Sequence, residues 1–283
     1  MTVNRYRRRK ATNLLISALA FLCVAVTIIP LVLILGHLLA QGAKAVNLDF
    51  FTQLPKPVGE VGGGMGNAIV GTLTLIGLAC LVGLPIGIIG GIYLAEFGQN
   101  KTGWLVRFMA DVLNGTPSIV IGIFAYTIVV LPMKRFSALA GGVALGIIMI
   151  PTVIRATEEL IKLVPVSVRE AGLALGIPQW KVILRIVVPS AKAGIVTGVL
   201  LALARIAGET APLLFTAFGN RFWQQGLDQP IASLPLQIFT YAISPFEDWH
   251  RQAWAGALVL IAMILITSIL TRVATKGQHH SVK

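Results

Sequence analysis

The chain has 283 residues, of which 56% are hydrophobic and 12% charged, and its mean hydropathy is +0.84. Soluble domains carry about 25% charged residues, so this composition excludes an ordinary water-facing globule. The formal net charge of +12 would raise nucleic acid as a partner, but most basic residues sit between long apolar runs, so the charge reads as topological and no nucleic acid is expected.

The chain opens with Arg5, Arg7, Arg8, Arg9 and Lys10, followed by an apolar run from about Leu14 to Ala40. A signal-peptide core is only about 7–15 residues long, so this run reads as a retained span. A span needs about 20 mostly apolar residues. Six stretches meet that, at about 13–40, 67–95, 108–132, 138–163, 193–217 and 253–273. Only a helix satisfies its backbone across lipid within one segment, and barrel strands would alternate over about 10 residues. The expected fold is therefore an all-α polytopic membrane protein with six transmembrane helices in contact with lipid.

Lys and Arg counts in the connections give the orientation. With the N-terminus in the cytoplasm, fifteen fall inside and six outside. Both termini are then cytoplasmic, and the pair Lys134 and Arg135 is a local exception. Two outer loops are long, about 41–66 and 218–252. The first contains Gly62 to Gly66, which lacks the Lys and Ser/Thr of a phosphate-binding loop and reads as a flexible lead into the second span. The second brings Trp223, Trp249 and Trp254, expected as interface anchors. Cys23 and Cys80 lie inside apolar runs and read as packing residues. His279 and His280 read as part of a solvated tail, and no metal site is expected.

Between the fourth and fifth spans, Ser167 stands three residues before Glu170, the spacing of a capping box. Gly176 suits a helix stop, and Pro178 suits the first turn of a second helix. Leu173, Leu175, Ile177 and Trp180 are apolar residues in a connection, which reads as a docking surface. This stretch resembles the EAA loop of binding-protein-dependent ABC importer permeases. Glu170, Ala171, Gly176, Ile186 and Pro189 match that pattern at the right spacing. Gly172 stands where a second alanine is usual, and Val188 where leucine is usual. The resemblance implies a loop helix seated in a groove of an ATPase subunit, with Glu170, Ala171, Gly172, Gly176 and Pro189 in the coupling element.

Ionisable residues inside spans cost about 2.5–3.5 kcal/mol each on insertion scales and mark function by default. Arg155 lies about 12 Å from the cytoplasmic end of its span, and Arg205 about 18 Å from that of its own. Two guanidiniums at similar depth suit a small oxyanion, because each offers a planar fork of donors. Pairing within each helix is the competing reading. Glu209 follows Arg205 by four residues, and Glu158 and Glu159 follow Arg155 by three and four. Pro151 and Pro212 are expected to kink the same two spans.

The run Ala204 to Phe215 resembles the fifth-span signature of phosphate importer permeases, as do Asp111 to Gly122 and Pro151 to Glu159. The resemblance implies that Arg155 and Arg205 belong to a phosphate path, with Thr210 adding a hydroxyl and Glu209 orienting Arg205 or repelling the anion. It implies nothing firm about Asp111 and Asn114. It divides the chain into 1–61 (basic tail, first helix and outer loop), 62–272 (permease domain with the coupling loop at 165–192) and 273–283 (tail). The implied partners are a sister permease, two ATPase subunits and an external phosphate-binding protein, in a bacterial cell membrane. The chain has no Walker A sequence, so ATP and Mg would sit on the partner ATPase, and this chain would be a non-catalytic subunit. Sulfate or molybdate as cargo, and an ATP-independent transporter, are the alternatives.

Overall fold

The computed structural model describes residues 3–60 and 62–276; His279 and His280 lie outside them. Helix α1 (Val3–Gly42) carries the basic tail and the first span as one helix. Its apolar side chains are exposed along most of its length. It meets the other helices near its end, where the His37 ring packs edge-on against Trp254 at 5.0 Å.

A short helix α2 (Leu48–Thr52) follows, capped by the Asn47 side chain, which accepts from the Phe50 N–H at 2.8 Å. The glycine run behind it is not a loose tether. Gly64, Met65 and Gly66 donate their N–H groups to Leu54, Phe50 and Gln53 carbonyls at 3.1, 2.8 and 3.2 Å. Gly62 and Gly63 have φ of +94° and +84°, which side-chain-bearing residues rarely adopt. Here glycine permits a tight turn pinned to α2, rather than flexibility.

Helices α3 (Gly66–Phe97) and α6 (Ala138–Lys162) pack along most of their length and form the centre of the fold. Gly83, Gly87 and Gly91 recur every fourth residue on α3 and face Met149, Val153 and Thr157 of α6. Small residues let two helices approach closely in lipid. A Cβ at Gly87 would fall 2.6 Å from the Val153 side chain. Gly87→Leu is therefore expected to lower the thermal midpoint of the purified protein by overpacking, about 1–3 kcal/mol. An unchanged midpoint in a detergent unfolding curve would count against this packing.

The third span is broken. Helices α4 (Lys101–Gly115) and α5 (Ser118–Met133) meet at 105°, where one straight span at 108–132 was expected. Thr116 precedes Pro117 and is extended, with ψ 133°. The proline ring disfavours the helical region for the residue before it, so the helix stops there. In α5, a π turn at Tyr126–Val130 surrounds the approach to Pro132, whose missing N–H would leave a carbonyl unpaired in regular helix.

Helix α7 (Val166–Ala174) precedes α8 (Gln179–Ala207). The fifth span was expected at 193–217, but α8 starts fourteen residues earlier and stops at Ala207. Pro189 lies within this helix. A π turn at Ile183–Val187 accommodates it, with Val188 N–H bonded to the Ile183 carbonyl. Gly208 to Thr210 interrupt the chain, and α9 (Ala211–Thr216) follows. Pro212 therefore lies in the first turn of a new helix, where its missing N–H is harmless. It does not kink the fifth span. Pro151 does lie inside α6.

The last elements are α10 (Leu234–Ala242) and α11 (Glu247–Lys276). Trp249 stacks on Tyr241 at 4.4 Å and ties these two helices together. Arg135 pairs with Asp228 at 2.9 Å, so one of the two charges that broke the topological pattern has a counter-charge on the neighbouring loop. The largest apolar core joins α3, α6, α8 and α9 around Leu75, Leu145, Met149, Ile206 and Leu213. A second lies under α2, α10 and α11, and a third packs the end of α6 against α7 and the start of α8.

Candidate functional site

Asp111 and Asn114 stand three residues apart on α4, and Thr152 and Arg155 three apart on α6. Each pair shares one helix face. The two faces meet as a ladder with two polar rungs. In the first, Arg155 Nε lies 3.1 Å from Asp111 Oδ1. In the second, Thr152 Oγ1 donates to Asn114 Oδ1 at 3.1 Å, and Arg205 Nη1 reaches both, at 3.3 Å to Thr152 Oγ1 and 3.4 Å to Asn114 Oδ1. Arg205 comes from the far end of α8. The structure therefore brings Arg155 and Arg205 to one surface of α6, about one helical turn apart.

Glu158 anchors the first rung. Its side chain is fully buried, and it accepts from Arg155 Nη1 at 3.0 Å, Arg107 Nε at 2.6 Å and Lys162 Nζ at 2.5 Å. Of the two glutamates considered as partners for Arg155, Glu158 takes the role and Glu159 is exposed. Arg205 and Glu209 form no ion pair among the described residues. The reason is the helix end at Ala207. The Gly208 and Glu209 N–H groups turn back to the Arg205 and Ile206 carbonyls, so the two side chains lack the helical one-turn spacing. Thr210 is the cap residue of α9, and its side chain makes no capping bond.

Four cations (Arg107, Arg155, Lys162 and Arg205) thus meet two carboxylates, Asp111 and Glu158. The surplus is positive, and Arg205 is exposed, its guanidinium held among the described residues by the neutral oxygens of Asn114 and Thr152. A guanidinium so placed keeps donors free for an oxyanion. Sequence reasoning had counted Arg107 and Lys162 as loop charges and had overlooked Thr152. The i, i+3 spacing of Asp111 with Asn114 and of Thr152 with Arg155 was the available signal.

The 165–192 segment forms a second cluster. Gly176 has φ +75°. Its N–H bonds the Leu173 carbonyl at 2.9 Å, and Ile177 N–H bonds Gly172 at 3.3 Å, a Schellman stop. The capping box does not form. Pro165 is the cap residue, Ser167 already lies in the first turn, and no side chain caps α7. Pro178 sits one residue earlier than expected, as the cap of α8. Gly172 is the contact point, since a Cβ there would meet Val182 at 3.0 Å and Ile186 at 3.2 Å. Glu170, Ala171 and Pro189 are exposed, as are Leu173, Leu175 and Trp180.

Residues 83–279 match the family model described as binding-protein-dependent transport system inner membrane component. The chain belongs to this family. It is 45% identical over 278 residues to the phosphate transport system permease protein PstA of Yersinia pestis, covering 97% of this chain and 93% of that one. It is 36% identical to the phosphate transport system permease protein PstA 1 of Mycobacterium tuberculosis, covering 95% and 91%. It is also similar, at 38%, to the probable phosphate transport system permease protein PstA of Methanocaldococcus jannaschii, covering 88% of each. Among solved structures, the inward-facing MetNI methionine ABC transporter superposes with a TM-score of 0.57 at 18% identity, covering 74% of this chain and 94% of that one. An amino acid ABC transporter superposes at 0.53 and 17%, covering 74% and 92%. The fold is that of type I ABC importer permeases, a multi-pass helical membrane protein.

Proposed function

We propose that this chain is the membrane-spanning, non-catalytic permease subunit of an ATP-driven phosphate importer. The observation that carries it is the convergence of Arg155 and Arg205 on one face of α6, in a chain whose curated relatives bear the phosphate permease name. Phosphate would contact Arg205 first, which is exposed, and Arg155 through the shared ladder. Thr210 and Glu209 line the break beside Arg205, where a hydroxyl can donate and a carboxylate can orient the guanidinium or repel the anion.

In the proposed assembly a sister permease completes the path, and an external binding protein delivers phosphate. Two ATPase subunits hold ATP and Mg and dock on Glu170, Ala171 and Pro189 and their apolar neighbours, while Gly172 packs α7 against the start of α8 and Gly176 turns the chain between them. Both termini face the cytoplasm of a bacterial cell membrane. The permease domain is taken as 62–272.

The test is labelled phosphate uptake in cells carrying the whole transporter, with sulfate uptake as control. A hydrogen bond to a charged group contributes about 1.5–3 kcal/mol, so Arg205→Ala is expected to lower phosphate uptake at least about tenfold at normal membrane levels. Glu209→Gln is expected to lower it as well, and unchanged uptake would remove both roles given to that residue. Phosphate uptake that survives Arg205→Ala would refute the path.

A further inference from the structure

We infer that Arg169 and Glu96 form the link through which the 165–192 segment moves the anion-path helix α6, an inference that rests on the function proposed above. Arg169 stands immediately before Glu170 and looks like one more loop charge in the sequence. In the structure it is largely buried and fully engaged. Its Nε and Nη2 contact Glu96 Oε1 at 3.0 and 2.7 Å. Its Nη1 donates to the Val164 carbonyl at 2.6 Å, and Nη2 to Ile161 at 3.0 Å. The side chains of Arg169 and Glu96 are only 19% and 7% exposed.

This one side chain joins three elements. It projects from α7, its carboxylate partner lies in the last turn of α3, and its carbonyl partners are Ile161 in the last turn of α6 and Val164 just past that helix's end. The last carbonyls of a helix have no intrahelical donors, and a cation there is favoured. Arg107 on α4 makes the reverse arrangement. It donates to the Gly98 and Leu94 carbonyls at the end of α3, at 2.8 and 2.9 Å, and binds Glu158 of α6 at 2.6 Å. Each arginine thus holds the end of one central helix and the carboxylate of the other. The ends of α3 and α6 are laced together from both sides.

Mechanically, a displacement of α7 is passed to α3 and α6 as one body. Glu158, which binds Arg155, lies four residues before Lys162 at the end of α6, about 6 Å away. Motion of the exposed α7 surface therefore reaches Arg155 without an intervening flexible joint. Without the Arg169 bonds, α7 is tied to this block by apolar contacts and by the short 163–165 turn. A planar guanidinium fixed by several bonds at once transmits direction as well as force, which an ammonium does poorly.

The test uses the complete transporter in proteoliposomes, with binding protein outside and ATP inside, scoring phosphate imported per ATP hydrolysed. Wild type sets the reference, and failure of wild type to import phosphate would refute the proposed function and, with it, the link that rests on it. With wild type active, Glu96→Gln and Arg169→Gln are expected to keep hydrolysing ATP while the ratio falls at least about fivefold. Arg169→Lys, which keeps the charge and loses the fork, is expected to recover part of it. If Glu96→Gln does not assemble, Glu96→Asp carries the same test, because it keeps the charge and shifts the contact by one methylene. A ratio equal to wild type in an assembled Glu96 variant overturns the inference, since a purely structural role would lower the amount of transporter and not its stoichiometry.

Discussion

Replacing Glu158 by alanine is expected to destabilise the protein by about 3 kcal/mol, the low end of the range for breaking a buried ion pair. Glu158 is fully buried and holds Arg107, Arg155 and Lys162 within 3.0 Å. Removing it leaves three cations facing one another, with Asp111 the carboxylate still bound to Arg155. The cations are 25%, 31% and 51% exposed, so water relieves part of the penalty, which is why the low end applies. Glu158→Gln keeps the shape and accepts two bonds, so it is expected to fall between alanine and wild type. Tryptophan-fluorescence melting of detergent-purified protein reads the effect. A midpoint within a degree of wild type for Glu158→Ala would mean that the carboxylate is not what holds these cations. The same change frees Arg155 from one of its two acidic partners, so any phosphate uptake that remains is expected to be reduced further than the loss of folded protein explains.

The spans themselves were legible because hydropathy is a property of composition over about twenty residues, and α1, α3, α6 and α11 cover the expected ranges. The two misread spans share a cause. At Thr116 and at Gly208 to Thr210 the chain leaves the helix inside a stretch that remains apolar, and hydropathy does not register a turn. Proline chemistry was the signal. Pro117 extends its predecessor, while Pro212 begins a helix instead of bending one. The same limit applied to charges. Arg155 and Arg205 stood out because they lie within spans, whereas Arg107, Lys162 and Arg169 lie where a span meets a loop and were counted as topology. Arg107 and Arg169 find their partners, Glu158 and Glu96, 51 and 73 residues away, a separation that no local pattern reveals, whereas Lys162 stands one helical turn from Glu158. The stop at Gly176 was readable because a left-handed residue after a helix is a local requirement. The supposed capping box failed because Pro165 already starts the helix two residues earlier.

The exposed apolar face of the 165–192 segment leads to the second large effect. Leu175 is 80% exposed, Trp180 57% and Leu173 48%. They flank the Schellman turn at Gly176, whose backbone bonds fix their directions, so the surface is held in shape before any partner arrives. Preorganisation of this kind lowers the ordering penalty of binding. Burying one large apolar side chain contributes about 1.5–3 kcal/mol. Leu175→Glu removes that contribution and adds a charge that must lose its water in the groove. The expected result is a loss of at least about tenfold in affinity for the ATPase subunits, seen as their absence from the complex purified on a tagged permease. Trp180→Ala is expected to act in the same direction, while Gly176→Ala is expected to act indirectly, by straining the left-handed turn and misdirecting both side chains. Normal recovery of ATPase subunits with Leu175→Glu would detach this face from docking. The coupling role would then have to rest on the exposed polar side of α7 around Glu170, which Glu170→Ala tests in the same purification.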